Sequence, residues 1–227
     1  MSPSLLDIPA FRAYMSKRIL CRVPTSDKRL ALTFDDGPHP KHTLDLLDML
    51  ERKGIRATFF VVGRRVRQFR DVLERTFRAG HEIGNHSDRH IPLSLLPSGL
   101  IRREIAVAEE LIMEVTGGRP RFLRPPMGWF NNKVLAIARC MGYHPVVGSV
   151  HPLDSRKPGV RVIIERIRRR IEPGAIIILH DGGRWIHSDR SQTIAAVDRI
   201  TDELLSEGYC FETLSELVPE ATSAPSA

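Results

Sequence analysis

The sequence predicts an α/β protein, a distorted or incomplete (β/α)7-type barrel with parallel strands inside and helices outside. Three observations predict it. From about Arg29 onward, short β-rich apolar runs alternate with longer stretches of helical period, the pattern of βα units around a parallel sheet. Seven such runs fall within about 190 residues, short of the ~250 typical of an eight-stranded barrel, so a smaller barrel is expected. Side chains capable of chemistry also gather at the C-terminal ends of these runs, the rim on which βα barrels build their sites.

In order, the expected strands are RLALTF (29–34), ATFFVV (57–62), HEIGN (81–85), RFLR (121–124), HPVVGS (144–149), AIIILH (175–180) and GYCFET (208–213). Between the first two, Leu44, Leu47 and Leu50 form a helical stripe ahead of Gly54. After Ser98, the residues Ile101, Ile105, Ala108, Ile112 and Val115 share one helical face, and Gly117-Gly118 stops the helix. Val160, Ile163, Ile164, Ile167 and Ile171 make a further stripe before Pro173-Gly174. These stripes are core packing. Residues 1–28 are expected to pack on the barrel, residues 29–218 to form it, and 219–227 to be a disordered tail.

Composition excludes several classes. With 227 residues and 42% hydrophobic content the chain can bury a core without disulfide or metal staples, so a metal would serve chemistry and not folding. No stretch approaches the ~20 apolar residues of a membrane span; the best run is 175–179. The opening MSPSLLDIPAFRAYMSKRILCRV lacks the uninterrupted apolar core of a secretory signal, so the chain as written reads as cytoplasmic. Cys21, Cys140 and Cys210 are odd in number and far apart, which reads as reduced thiols. The net charge of +7 raises nucleic acid, anionic membrane or an acidic polymer as partners.

Asp35 and Asp36 follow the first strand, His86 and His90 the third, Arg124 ends the fourth, Asp154 follows the fifth, and His180-Asp181 ends the sixth. Two histidines four apart can reach one divalent ion, or can equally be surface residues of a loop. Adjacent carboxylates repel, and Asp35-Asp36-Gly37-Pro38 also reads as a solvated turn. A cation changes that balance. Asp36 with His86 and His90 makes a two-His, one-carboxylate site with open positions, and Asp35 beside it could take a proton from water at the ion.

The ordered segments Thr33-Phe34-Asp35-Asp36-Gly37-Pro38, His86-Ser87-Asp88-Arg89-His90, Arg124-Pro125-Pro126-Met127-Gly128 and Leu179-His180-Asp181 resemble the motifs of the polysaccharide deacetylase family, the NodB-homology domain of carbohydrate esterase family 4. The resemblance runs from about Arg29 to Leu217. It implies a metal-dependent hydrolase that removes N-acetyl groups from an acetylated sugar or polysaccharide. It implies that Asp36, His86 and His90 hold a divalent metal, usually Zn2+, sometimes Co2+ or another ion. Asp35 would be the general base, Arg124 would pair with it and hold it ionised, and His180 would be the general acid oriented by Asp154. The Met127 backbone N–H would stabilise the oxyanion, and Leu179 and Pro126 would line the substrate pocket.

The chain departs from the family in two places. Met127 stands where tyrosine is common, which a backbone donor survives. His151-Pro152-Leu153-Asp154-Ser155 stands for the usual Asp-x-x-Asp-Trp, keeping the aspartate and losing a tryptophan wall. An O-acetyl ester or a non-sugar amide is therefore an alternative substrate, and a noncatalytic glycan-binding barrel an alternative of another class. Residues 63–80 and 159–172 hold net charges of +4 and +3, the whole excess, and follow the second and fifth strands. They should lie on nearly opposite flanks away from an Asp-rich rim, so no nucleic-acid footprint is expected.

Overall fold

A computed structural model describes residues 18–183 and 185–218. All seven expected strands are present, and every strand pairing is parallel. They are β1 (Arg29–Asp35), β2 (Thr58–Val61), β3 (Glu82–Asn85), β4 (Phe122–Leu123), β5 (His144–Pro145), β6 (Ile176–His180) and β7 (Cys210–Glu212). The helices are α1 (His42–Arg52), α2 (Gly63–Gln68), α3 (Arg70–Arg78), α4 (Ser98–Thr116), α5 (Asn132–Cys140), α6 (Val160–Arg168), α7 (Ser191–Ser206) and α8 (Leu214–Leu217).

The sheet runs β5-β4-β3-β2-β1-β6 and curls. The chain beyond β5 approaches β6, where Val150 bridges Ile177 and Ile178 N–H donates to Val150 O at 2.8 Å. The ring is thus incompletely closed. β7 is not a seventh stave: it pairs with the start of β1, on the edge that β2 uses further along. Below it, α8 is set by a capping box in which Thr213 and Glu216 satisfy each other's backbone N–H groups.

Strand period two sorts the core into layers. Leu30, Leu32 and Phe34 of β1 pack outward with Phe59, Ile177 and Leu179, against Leu46, Leu50, Val197 and Ile200 of the helices. Ala31 of β1 packs inward with Phe60, Phe122 and Ile176, over Leu214 and Leu217. Each fully buried side chain of this size contributes roughly 1.5–3 kcal/mol. The inward face of β1 continues Ala31, Thr33, Asp35, so the same alternation that fills the barrel delivers a carboxylate to its mouth.

The stripe after Ser98 becomes α4, with Ile101, Ile105, Ala108 and Ile112 buried and Gly117 closing it at φ 70°, a conformation glycine adopts without a Cβ penalty. In α1 the buried face is Thr43, Leu46, Leu47 and Leu50, with Leu44 only partly buried, so the expected stripe is rotated. Residues 63–80 form two helices broken at Phe69 (φ −136°, ψ 52°). Leu20 bridges Val146, and Val23 N–H donates to Gly174 O at 3.0 Å, so the chain ahead of β1 lies on the barrel from residue 18. The tail and residues 1–17 lie outside the described residues. No helix among those described is long and apolar enough to cross a membrane. Cys21, Cys140 and Cys210 form no disulfide, and the last two are exposed.

Candidate active site

A cavity of about 790 Å3 opens at the C-terminal ends of the strands, lined by Asp35, Asp36, His86, His90, Arg124 and His180 among others. Asp35 is the last residue of β1 and Asp36 turns the chain at φ 78°. That left-handed conformation is costly without glycine and is kept here at a cluster of polar groups. It sends the two adjacent carboxylates to different partners.

Asp36 Oδ1 lies 2.9 Å from His90 Nε2 and 3.6 Å from His86 Nε2. The three ligand atoms all lie within 4.8 Å of one another. His86 Nδ1 donates to the Arg124 carbonyl oxygen at 2.6 Å, which fixes its tautomer and leaves the Nε2 lone pair toward Asp36. Burial, above all, lowers the His86 pKa to about 4, so the ring is neutral, the form in which imidazole binds a cation. Burial opposes the charge on Asp36, but the hydrogen bond and charge of His90 outweigh it and hold the carboxyl well below its usual range. Two neutral-capable imidazoles and one ionised carboxylate, mutually within reach of one ion, are a donor set that fits a divalent metal.

The loop that carries the histidines is pinned from behind. Asn85 Nδ2 donates to Ile105 O at 3.0 Å and to Tyr143 Oη at 2.9 Å, while its Oδ1 accepts from Ser87 N at 2.8 Å. Buried Glu104 of α4 accepts from Arg89 N at 2.9 Å and from Arg89 Nε at 2.5 Å.

Arg124 is 2% exposed inside the barrel. Its Nη1 donates to Asp35 Oδ1 at 2.7 Å and Thr33 Oγ1 at 2.8 Å, its Nη2 to Val147 O at 2.9 Å, and its guanidinium lies 4.0 Å from the Phe60 ring centre. Burial pulls its pKa down while Asp35 resists. On the opposite wall, Asp154 Oδ1 meets His180 Nδ1 at 2.8 Å, and its Oδ2 accepts from His180 N at 3.0 Å. Burial works against a charge on His180, but the Asp154 carboxylate outweighs it, Asp36 and Asp35 adding to the pull, and the pKa rises to about 9. A divalent cation on Asp36 would remove part of that pull.

Met127 lines the cavity at φ 60° and is half exposed. Leu179 and Pro126 do not line it. The period of β6 turns Leu179 into the outer core, and Ile178, on the same face as His180, takes the wall position instead. That alternation was readable from the sequence. Pro126 is buried at the start of a 3-10 turn, behind Met127 and Gly128. His151 and Ser155 both line the cavity, and burial lowers the His151 pKa to about 4.

The expected Asp-rich rim also holds Arg64, Arg89 and Arg190. Arg64 belongs to the basic stretch expected on the outer wall, and neighbouring Arg65 is buried and donates to Gly183 O at 3.0 Å. The start of α2 points inward there, which a charge count along the chain does not reveal. The other arginines of that stretch pair with carboxylates: Arg67 with Asp88 at 2.6 Å, Arg70 with Glu114 at 2.9 Å, Arg78 with Glu74 at 2.6 Å, and Arg75 with Asp48.

A sequence model of the family described as polysaccharide deacetylase matches residues 22–146. The chain is 38% identical over 198 residues to a peptidoglycan-N-acetylglucosamine deacetylase of Bacillus cereus, covering 86% of this chain and 91% of that one. Its fold is similar to the solved Bc1960 peptidoglycan N-acetylglucosamine deacetylase, with a TM-score of 0.85, 28% identity, and coverage of 91% and 95%. It is also similar, with a TM-score of 0.81, 28% identity, and coverage of 88% and 68%, to BA3943 of Bacillus anthracis, a pseudoenzyme of carbohydrate esterase family 4. Fold likeness thus extends to an inactive relative, and the complete set of ligand, carboxylate and histidine side chains in one cavity bears on activity more than the barrel does. With that set in place, the chain belongs to the polysaccharide deacetylase family, the NodB-homology group of carbohydrate esterase family 4.

Proposed function

We propose that this metal-dependent deacetylase removes acetyl from the N-acetylglucosamine units of a glycan, using zinc. The observation that carries the reading is the cluster of Asp36, His86 and His90 between two preorganised pairs, Asp35 with Arg124 and His180 with Asp154. The B. cereus relative, by its name, acts on N-acetylglucosamine of peptidoglycan, which supports the choice of sugar.

When bound by Asp36, His86 and His90, zinc supplies Lewis-acid chemistry, acidifying a water and polarising the acetyl carbonyl. Arg124 occupies Oδ1 of Asp35, so the second carboxylate oxygen is the one that takes the proton of the attacking water. The water oxygen adds to the carbonyl carbon, and the Met127 backbone N–H stabilises the charge that develops on the carbonyl oxygen. His180, engaged at Nδ1 by Asp154, delivers a proton from Nε2 to the leaving nitrogen as the C–N bond breaks. Acetate and a free amine result. The Asp154 carboxylate raises the His180 pKa, which favours the protonated, donating form.

The test is release of free amine from N-acetylglucosamine oligomers. Activity should disappear with chelator and return with zinc. In Asp36→Ala and His86→Ala it should fall by about a thousandfold or more. Full activity in those variants after metal removal would sink the proposal. Ser155 and His151 line the cavity and no tryptophan is among its described lining residues, which keeps an O-acetyl ester or a non-sugar amide as a second substrate class. Parallel rates on acetamide and acetyl ester substrates separate the two.

A further inference from the structure

The general acid and its carboxylate come from different segments. His180 ends β6, and Asp154 opens a 3-10 turn, Asp154–Arg156. Besides their own ion pair and the His180 N–H bond to Asp154 Oδ2, further ties come from the start of α7, a region in which the sequence shows no motif. Thr193 Oγ1 donates to Asp154 Oδ2 at 2.8 Å, so the carboxylate accepts three hydrogen bonds and both oxygens are engaged. Arg190, at the N-cap of α7, is 6% exposed. Its Nε donates to Gly182 O at 2.5 Å and its Nη1 to Ser155 O at 3.4 Å. Gly182 lies two residues beyond His180, and Ser155 directly follows Asp154. One guanidinium therefore spans the two segments that must stay in register. Gln192 Oε1 accepts from Gly159 N at 2.8 Å and holds the far end of the same loop.

Resting on the deacetylase reading above, we propose that Thr193 and Arg190 are positioning residues for the general acid, fixing the Asp154 carboxylate against His180 Nδ1 so that Nε2 alone is presented to the leaving nitrogen. A buried carboxylate held at both oxygens cannot rotate, and an imidazole held at Nδ1 keeps one tautomer. If α7 merely packed here, its loss would affect folding and leave His180's titration unchanged.

The experiment uses the full zinc-loaded chain and follows kcat and KM against pH for Thr193→Val, Thr193→Ser and Arg190→Lys, alone and on Asp154→Asn. Thr193→Val, which keeps shape and loses the hydroxyl, should lower kcat about tenfold at unchanged KM and move the alkaline limb of the profile by about half a pH unit or more. Thr193→Ser should keep the wild-type values. On the Asp154→Asn background, Thr193→Val should have almost no further effect, because the two act through one interaction. Penalties that multiply in the double variant, or an unmoved limb in folded Thr193→Val protein, overturn the assignment. If Thr193→Val does not fold, Arg190→Lys carries the same test. NMR titration of the His180 ring gives a readout independent of turnover. A protein inactive on every acetylated glycan would overturn the function, whereas an unchanged His180 titration in the variants would overturn the positioning role alone.

Discussion

At the scale of single residues, His180 owes its charge to Asp154. Burial alone would push an imidazole down, and the carboxylate at 2.8 Å reverses that to about 9. Asp154→Asn keeps the shape and removes the charge, so the His180 pKa should fall and the alkaline limb of kcat should move to lower pH by about one unit or more, read from a pH–rate profile. His81 is the opposite case. Its Nδ1 accepts from Ala57 N at 3.1 Å, and burial lowers its pKa to about 4 from 6.5. The unfolded chain therefore binds a proton below pH 6.5 that the folded one refuses. Stability should be full above that pH and be lost as pH falls toward 4, by roughly 3 kcal/mol. His81→Gln should flatten that dependence relative to wild type in urea titrations, and equal slopes for the two proteins would contradict it.

Among the elements, α4 was the most legible. A 19-residue helix with an apolar face and a glycine stop is determined by local period and capping. It also serves the site, since Glu104 and the Ile105 carbonyl hold the loop of His86 and His90. Ile105 is fully buried with Ile101, Leu123, Val134 and Tyr143. Ile105→Ala should cost about 2–5 kcal/mol in chemical unfolding at unchanged m-value, with the cavity left behind setting where in that range it falls. Less legible were the elements whose identity depends on a distant partner. β4 and β5 are two residues long in the ladder, and β7 is a short strand that pairs beneath β2 instead of closing the ring. Their sequences show that they are extended, and nothing local shows which edge they join. The break at Phe69 was not signalled either, since helical period runs through it.

Over the whole molecule, the metal cluster joins the end of β1 to the loop after β3, so a bound ion links parts of the barrel distant in sequence. Metal at a hundred times its dissociation constant should stabilise the fold by about 2.7 kcal/mol. Thermal melting with zinc and with chelator should show this gain in wild type and not in His86→Ala, and equal shifts in both would place the ion elsewhere. The basic stretches behave as flanks: α2 and α3 pack with α4 and α1, α6 packs with α7, and α1 and α7 lie between them. Most of the charge excess is therefore spread over the flanks, apart from the arginines that turn into the cavity.

Period and turn chemistry were enough to name the barrel and its strands, and the ordered motifs that resemble the family picked out Asp36, His86 and His90, which the fold brings within reach of one ion, because each rests on a local repeat or a short motif. That arginines line the mouth, and that Arg190 and Thr193 at the start of α7 bond to the end of β6 and to the Asp154 turn, depended on the folded chain. Those properties arise from contacts between segments tens to more than a hundred residues apart, and no local pattern specifies such contacts.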